Sequence, residues 1–237
     1  NGTGPGAGNR SWTDYAKGDA CTNGNCDRRG DYLKAATGLL ISDLSWMADQ
    51  WADDGDARKN VMQENGAVGL TAEITGMGSL SYGELGGERT KLGLLLHDPE
   101  ESHDCFSDNT HNSHFYDALG IQNVYLGKYT RTDGSVVEGP SLSDLVAANN
   151  ADLDGEIKTK LAASVAAGQA LVDRANNGEH FDQMIAAGND EGNAAVQKFV
   201  DTLVDQTKSI EQIVGAIGLE GISFEGSDSL DNPSAVN

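Results

Sequence analysis

The sequence predicts an all-α protein, most simply a four-helix-bundle-like domain with a long loop-and-short-helix connection between its second and third long helices. Apolar residues recur at three- and four-residue spacing over long segments, which is the pattern of amphipathic helices. No segment shows the period-two alternation of a half-buried strand. The 30 glycines among 237 residues favour helices that approach each other closely.

The first 26 residues are rich in Gly, Asn and Asp, which predicts an irregular segment. The first long helix follows from Asp27 and ends at the turn sequence DDGD (53–56). Its apolar residues share one helical face: Leu33, Ala36, Leu40, Leu44, Met47 and Trp51.

A second long segment extends from Arg58 to Leu96 and contains eight glycines between Gly66 and Gly93. Each glycine costs a helix up to about 1 kcal/mol, so the segment must pack tightly or break near Gly86 and Gly87. His97-Asp98-Pro99 should end it, because a residue before proline avoids the helical conformation.

Residues 99–110 predict a polar loop, with Asn109 or Thr110 capping a short helix that extends to Leu126. Ser141 should cap another short helix. Two further long helices follow, ended by NNG (176–178) and by Gly218, and the tail should be extended. The predicted domain limits are therefore 1–26 for the irregular segment, 27–218 for the helical bundle and 219–237 for the tail.

The net charge of −21 and the pI near 4.3 disfavour a nucleic-acid partner, because a surface of one negative sign repels phosphate. Cation binding, a salty environment or simple solubility each fit this charge. No segment approaches the roughly 20 apolar residues of a membrane-spanning helix.

Three cysteines are present, and Cys21 and Cys26 flank the turn sequence TNGN. This pair alone is compatible with reduced thiols, half a zinc site or a disulfide. Because no second cysteine pair exists to complete a structural zinc site, a local disulfide is favoured, and it implies an oxidising compartment. Cys105 should remain a free thiol.

Histidines and carboxylates are concentrated between Gly83 and Leu126, where His103, His111 and His114 fall within twelve positions. His111 and His114 are three residues apart on a predicted helix, so both rings can face the same way. Such pairs bind metals in helical bundles, and His103 or Asp108 could approach from the loop. The alternative is that SDNT caps the helix and the histidines lie on the surface. No HExxH motif is present.

The sequence YGELGGERTK places Glu84 and Glu88 four residues apart, beside Arg89. The two carboxylates could bind a cation or serve as acid and base. A Glu–Arg pair that ties helices together is equally plausible. The surrounding glycines leave room for a ligand or for another backbone.

Three blocks resemble the imelysin family: GMGSLSYGELGGERTKLGLL (76–95), HDCFSDNTHNSHFYDALGIQNVYLG (103–127) and FEGSDSLDNP (224–233). Within that family they look like the branch called iron-regulated protein A, and the similarity extends to CTNGNC (21–26). The resemblance implies a bacterial cell-envelope protein, periplasmic or associated with the outer membrane, and often linked to iron acquisition.

The resemblance also implies an all-helical fold of two bundle-like halves, with a proposed site between them. Some members are classed as metallopeptidases because of a GxHxxE motif on a helix of the N-terminal half, which this chain does not contain. The chain therefore looks like the C-terminal part of such a protein. Its partners would be the absent N-terminal half and another envelope protein.

The resulting hypothesis is an envelope protein that binds a metal or an iron-related ligand at an interdomain cleft, with iron or zinc as the candidate ion. The matching blocks supply the ligand-binding candidates: Glu84, Glu88, Arg89, Ser107, Asp108 and Asn109. The metal-ligand candidates are His111, His114, His103 and Glu88. A metallopeptidase completed by residues outside the chain and a non-catalytic partner-binding module are the alternatives.

Overall fold

The computed structural model describes residues 11–236, which form two compact units, 11–69 and 70–236. Both are helical, and the two strands of the described residues form one short hairpin. The predicted all-α class is confirmed. The predicted domain limits at residues 26 and 218 are not tested by this division and stay a prediction, and residues 1–10 lie outside the described range. No helix within residues 11–236 has the length and apolarity needed to cross a membrane.

The first unit is built on one long helix, α1 (Cys26–Gln50), followed by α2 (Asp56–Val61). Short 3-10 helices occupy Trp12–Tyr15, Gly18–Ala20 and Gln63–Gly66. Cys21 and Cys26 form a disulfide with their Cα atoms 5.6 Å apart, which holds the preceding segment at the start of α1. The predicted apolar face of α1 is exposed, with Leu40 and Trp51 at 57% and 55% of their maximal surface.

The second unit contains the remaining elements. The helices are α3 (Ala67–Ser79), which begins at the end of the first unit, a π-helix (Leu80–Lys91), α4 (Leu92–Leu96), α5 (Thr110–Leu126), α6 (Leu142–Asn149), α7 (Ala151–Asn176), α8 (Phe181–Met184), α9 (Asp190–Ala216) and α10 (Asp228–Asp231). Single-turn 3-10 helices lie at Pro99–Glu101 and Pro233–Ala235. The antiparallel strands β1 (Lys128–Thr130) and β2 (Val136–Glu138) pair in the register Tyr129 to Val137.

The centre of the second unit is the long pair α7 and α9, with α5 packed on α7 and the π-helix packed on α9. Burial of apolar side chains supplies most of the stability of such an arrangement. One core cluster joins α3, α5, α6, α7 and α9 and includes Ile74, Tyr125 and Ile157. A second cluster, around Leu85, Phe181 and Phe199, lies beside the loop that carries the sequence SDNTH (107–111), since Asp108 of that loop contacts His180 next to Phe181.

The glycines of the second predicted segment do not break the helix at Gly86 and Gly87. Gly83, Gly86 and Gly87 instead lie in the π-helix, in which the Leu92 N–H donates to the Gly87 carbonyl five residues earlier. The glycine positions accept the chain's C-terminal tail. A Cβ at Gly83 would lie 2.7 Å from the Glu225 carbonyl oxygen, and a Cβ at Gly87 would overlap Ser227. The close approach of the tail backbone therefore requires glycine.

The helix ends follow local chemistry that the sequence predicts. His97 adopts a left-handed conformation and ends α4 before Pro99. Ser141 caps α6 with a capping box that it forms with Asp144. Asn109 occupies the cap position of α5, but its side chain makes no capping hydrogen bond. The tail, predicted to be extended, has no regular secondary structure from 219 to 227, where Gly221 adopts φ 76°, and then forms the single turn α10.

Candidate functional site

Arg89 joins the π-helix to α5 through two carboxylates. Its Nη1 donates to Asp117 Oδ2 at 2.9 Å, and its Nε and Nη2 both lie 3.3 Å from Glu84 Oε2. Glu84 and Arg89 are five residues apart, which places them on one face of a helix with i to i+5 bonding. Arg89 and Asp117 are about three-quarters buried, at 27% and 28% side-chain exposure.

The charges of Glu84, Arg89 and Asp117 indicate that these residues join two helices. Burial raises the pKa of the Asp117 carboxyl, although the ion pair with Arg89 acts in the opposite direction. The guanidinium is already paired on both sides, so it has little remaining capacity to neutralise a bound anion. Of the two possibilities that the sequence left open for this segment, the geometry favours a Glu–Arg pair that ties helices together.

Glu88 faces the C-terminal tail. Ser227 Oγ donates a 2.6 Å hydrogen bond to Glu88 Oε1 and lies 2.8 Å from Ser229 Oγ. Ser227 and Ser229 are buried, at 5% and 1% exposure. The structure therefore gives Glu88 a partner in the tail, whereas Glu84 is bound to Arg89.

His114 lies in the core of the second unit. Its Nε2 donates to the Arg89 carbonyl at 3.0 Å, and its ring contacts Phe181 edge-on and stacks near Phe199. Burial lowers the pKa of His114 to about 3, and the hydrogen bond to the carbonyl opposes this only in part. His114 is thus a neutral core histidine. His111, three residues earlier, has different neighbours.

Asp108 and His111 are brought together by the turn that precedes α5. The Asp104 N–H donates to Thr110 Oγ1 at 3.0 Å, and the Asn109 N–H donates to the Asp104 carbonyl. This closes the loop and places Asp108 in a left-handed conformation, φ 53°, which aspartate tolerates better than most residues. The Asp108 side chain is thereby turned inward and is 8% exposed.

His180, from the turn before α8, meets both residues. Its Nδ1 lies 2.9 Å from Asp108 Oδ2, and its ring packs edge-on against His111 with centroids 5.5 Å apart. Asp182, two residues later, is close enough to raise the pKa of the Asp108 carboxyl. Two imidazoles and two carboxylates from three chain segments thus form one group, which we call the Asp108–His180 cluster: Asp108, His111, His180 and Asp182.

The polar atoms of the Asp108–His180 cluster are poorly satisfied. Within residues 11–236, four of its buried atoms make no hydrogen bond: Asp108 Oδ2, His111 Nδ1, His180 Nδ1 and Asp182 Oδ1. Asp108 Oδ2 and His180 Nδ1 lie 2.9 Å apart and form an ion pair when the imidazole is protonated, whereas His111 Nδ1 and Asp182 Oδ1 have no such contact among the described ion pairs. Buried polar atoms are rarely left without partners in folded proteins.

Burial sets the protonation preferences of the cluster. It raises the pKa of the Asp108 carboxyl, with Asp182 adding to the effect and His180 opposing it. Burial also lowers the pKa of His111, and the neighbouring His180 adds to that shift. The shift of Asp108 favours the neutral carboxylic acid, whereas a metal ion binds the carboxylate. The shift of His111 favours the neutral imidazole, which is the form that a metal ion binds.

The other predicted residues lie apart from the cluster or at its margin. Ser107 and Asn109 are exposed, and they make local bonds to Asp104 and Asn112 that shape the loop. His103 is exposed. As placed, no group of three or more His, Cys, Asp or Glu side chains in the described chain has the arrangement of a metal site. Metal binding at the cluster therefore requires its side chains to rotate.

The sequence model of the imelysin family matches residues 2–210. The match covers most of the chain, including the π-helix, the SDNTH loop and α7. The chain belongs to the imelysin family. No curated protein matches the chain at a significant level. The family membership that the sequence blocks predicted is confirmed, whereas the iron-regulated protein A branch stays a prediction.

Two members of the cluster in this imelysin protein, His180 and Asp182, were not predicted from the sequence. They lie 69 or more residues after His111 and outside the blocks that carried the resemblance. One signal was available: GEHFDQ (178–183) satisfies GxHxxE at every position except the last. Gln183 takes the place of the glutamate and accepts a hydrogen bond from the His180 N–H, which fixes the turn.

Proposed function

We propose that this imelysin protein is a component of the bacterial cell envelope that binds a transition-metal ion or an iron-related ligand through Asp108 and His111. The observation that carries the proposal is that Asp108 Oδ2 and His111 Nδ1 are buried and make no hydrogen bond within the described residues, Asp108 Oδ2 having an ion-pair contact with His180. An ion with carboxylate and imidazole affinity would satisfy both. Iron and zinc are the candidate ions.

The chemistry of the two residues supports binding. Asp108 and His111 are both more than nine-tenths buried, and the turn around Asp104 holds them in place. A bound metal ion would favour the charged carboxylate of Asp108 and so would oppose the raising of its pKa by burial. It would also favour the neutral imidazole of His111, which agrees with the lowering of its pKa by burial. The proposal includes two further expectations from the sequence. The site lies at an interdomain cleft, and the protein belongs to the iron-regulated protein A branch.

The envelope location is supported by the family and by the Cys21–Cys26 disulfide, which persists in oxidising compartments. Fractionation of cells that express the native gene is the test of location. The protein should be released with the periplasmic or membrane fraction. Recovery in the cytosolic fraction alone would contradict the envelope assignment without affecting the metal proposal.

Calorimetric titration with Zn²⁺ at pH 7 tests the binding. The wild-type protein should show one saturable site, and Asp108→Ala and His111→Ala should each weaken zinc binding by about tenfold or more. His103→Ala is the matched control, because it removes an exposed imidazole from the same loop. Absence of saturable uptake by the wild type would contradict the proposal, as would unchanged affinity in both variants.

A further inference from the structure

We infer that two copies of this chain associate through α1 (Cys26–Gln50), packed antiparallel about a two-fold axis near Ser42. The pairing is independent of the proposed metal binding, because α1 contains no member of the Asp108–His180 cluster. Three observations support it: an apolar helix face left open in the described chain, the spacing of that face, and the charges at its two ends.

About five turns of α1 lie open to solvent in the part of the chain that the structure describes. Every residue from 31 to 49 is exposed. The segment also has weak intrinsic helicity, because Thr37, Gly38 and Asp43 are among the poorer helix formers. Such a helix owes its stability to the packing of an apolar face rather than to propensity. A covering surface is therefore expected for α1.

The exposed apolar residues of α1 have the spacing of a coiled-coil seam. Alternating steps of four and three residues join six positions, which we call the α1 seam: Leu33, Thr37, Leu40, Leu44, Met47 and Trp51. This is the repeat of heptad positions a and d, which insert into a partner helix. The five large apolar members are each 52–57% exposed. The α1 seam is therefore suited to a second helix of the same kind.

The α1 seam is complementary to itself when the second helix is antiparallel. In a two-fold interface, a contact of one residue with another is repeated with the two copies exchanged. Centred on residue 42, the seam makes three kinds of pair, each formed twice: Leu40 with Leu44, Thr37 with Met47, and Leu33 with Trp51. The small Thr37 thus lies opposite the long Met47, so large side chains do not collide along the seam.

The size of the open surface fits a reversible dimer. The α1 seam extends over about 27 Å of helix. Ile41 flanks it beside the axis and is 60% exposed, so it would meet its own copy. Together these side chains expose on the order of several hundred Å² of apolar surface, which is large for a soluble monomer. Two such surfaces approach the lower limit of specific interfaces, which corresponds to a dissociation constant on the order of micromolar.

The charges at the ends of α1 favour the antiparallel orientation. Three cations lie towards its N-terminal end: Arg28, Arg29 and Lys34. Carboxylates lie at its C-terminal end and just beyond it: Asp49, Asp53, Asp54 and Asp56. An antiparallel pair brings the basic end of each copy to the acidic end of the other, whereas a parallel pair brings like charges together. The two basic ends also reduce the repulsion between copies that each carry a net charge of −21.

Sedimentation velocity of the protein from about 1 to 100 μM tests the association. The wild type should change from monomer to dimer over this range. Leu40→Gln should weaken the dimer by about tenfold or more, because the change removes apolar contacts in both copies. Leu39→Gln is the matched control, since Leu39 is an exposed leucine of the same helix, at 64%, but lies outside the α1 seam. It should leave the dimer affinity unchanged.

Cross-linking with a short bis-maleimide tests the orientation. The antiparallel pair places Leu33 beside Trp51 of the second copy and about 27 Å from the second Leu33. In a Cys105→Ser background, which removes the free thiol, Leu33→Cys protein should therefore be joined to Trp51→Cys protein and not to itself. Asp43 flanks the axis and would approach its own copy, so Asp43→Asn should strengthen the dimer.

Each result supports or overturns the pairing. A wild type that stays monomeric over the whole range would contradict it, as would equal losses of affinity in Leu40→Gln and Leu39→Gln. Cross-linking of Leu33→Cys to itself, or a weaker dimer in Asp43→Asn, would overturn the antiparallel arrangement. The wild-type concentration series needs no substitution, so it decides whether the dimer exists even if a variant fails to fold.

Discussion

Ser227 Oγ donates a 2.6 Å hydrogen bond to Glu88 Oε1 across 139 residues of sequence. This bond fastens the C-terminal tail to the π-helix, at the point where Gly83 and Gly87 leave room for the tail backbone. The YGELGGERTK sequence therefore makes two structural contacts. Glu88 binds the tail, and Arg89, which is paired with Glu84, binds Asp117 of α5.

Gly83→Ala should destabilise the second unit by about 1–3 kcal/mol, because the new methyl group meets the Glu225 carbonyl at 2.7 Å. Gly76→Ala is the matched control on the preceding helix, where a Cβ meets no atom within 4 Å. It should leave stability unchanged or raise it by up to about 1 kcal/mol. Urea unfolding measures both, and equal effects of the two variants would contradict the tail-docking account.

Glu88→Ala should lower the free energy of unfolding by about 1 kcal/mol, the value of one hydrogen bond, and should make the tail more susceptible to protease. Zinc affinity should remain at the wild-type value, because Glu88 is bound to the tail. Ser227→Ala should reproduce the stability loss. A large loss of zinc affinity in Glu88→Ala would instead restore Glu88 as a metal ligand.

The Arg89–Asp117 pair should show a coupling energy of about 1–2 kcal/mol in a double-mutant cycle of Arg89→Met and Asp117→Asn, because both side chains are about three-quarters buried. The comparison pair is Lys208 and Asp205, which are 3.9 Å apart and more than half exposed. Its coupling should be below about 0.5 kcal/mol. Similar coupling in both pairs would show that Arg89 does not tie the π-helix to α5.

His114 should make stability depend on pH between about 6.5 and 3. Its pKa in the folded protein is lowered to about 3, so below its ordinary value of 6.5 the unfolded chain binds a proton that the folded chain does not. The stability contribution is complete above pH 6.5 and is lost as the pH falls, by about 2 kcal/mol at pH 5.

His114→Gln should remove that dependence while keeping an N–H donor for the Arg89 carbonyl. Urea unfolding at pH 7 and pH 5 should therefore show a smaller difference for His114→Gln than for the wild type. His103→Gln is the control, since an exposed histidine should leave the difference unchanged. Equal pH dependence in His114→Gln and the wild type would contradict the buried, neutral state.

The helices could be predicted from the sequence because their signals are local. Apolar spacing, the Ser141 cap and the His97-Asp98-Pro99 end each depend on neighbours within one or two turns. The π-helix could not be predicted in this way. Its glycines are equally compatible with a broken helix. Only contact with the tail, more than 130 residues later, explains why the helix continues.

The candidate site was predictable only in part, for the same reason. His111 and Asp108 share one block, whereas His180 joins them through contacts that the fold creates. The spacing that paired His111 with His114 was compatible with a shared ligand, but packing against Phe181 and Phe199 gives His114 a place in the core. Helical spacing alone does not distinguish these two environments.

The position of bound zinc is measured by an anomalous difference map at the zinc edge, from crystals grown with one equivalent of Zn²⁺. We expect a single strong peak within about 2.0–2.2 Å of ligand atoms of Asp108 and His111. A map without a peak at the Asp108–His180 cluster, or with its strong peak at Glu84 and Glu88 or at His103, would contradict this expectation.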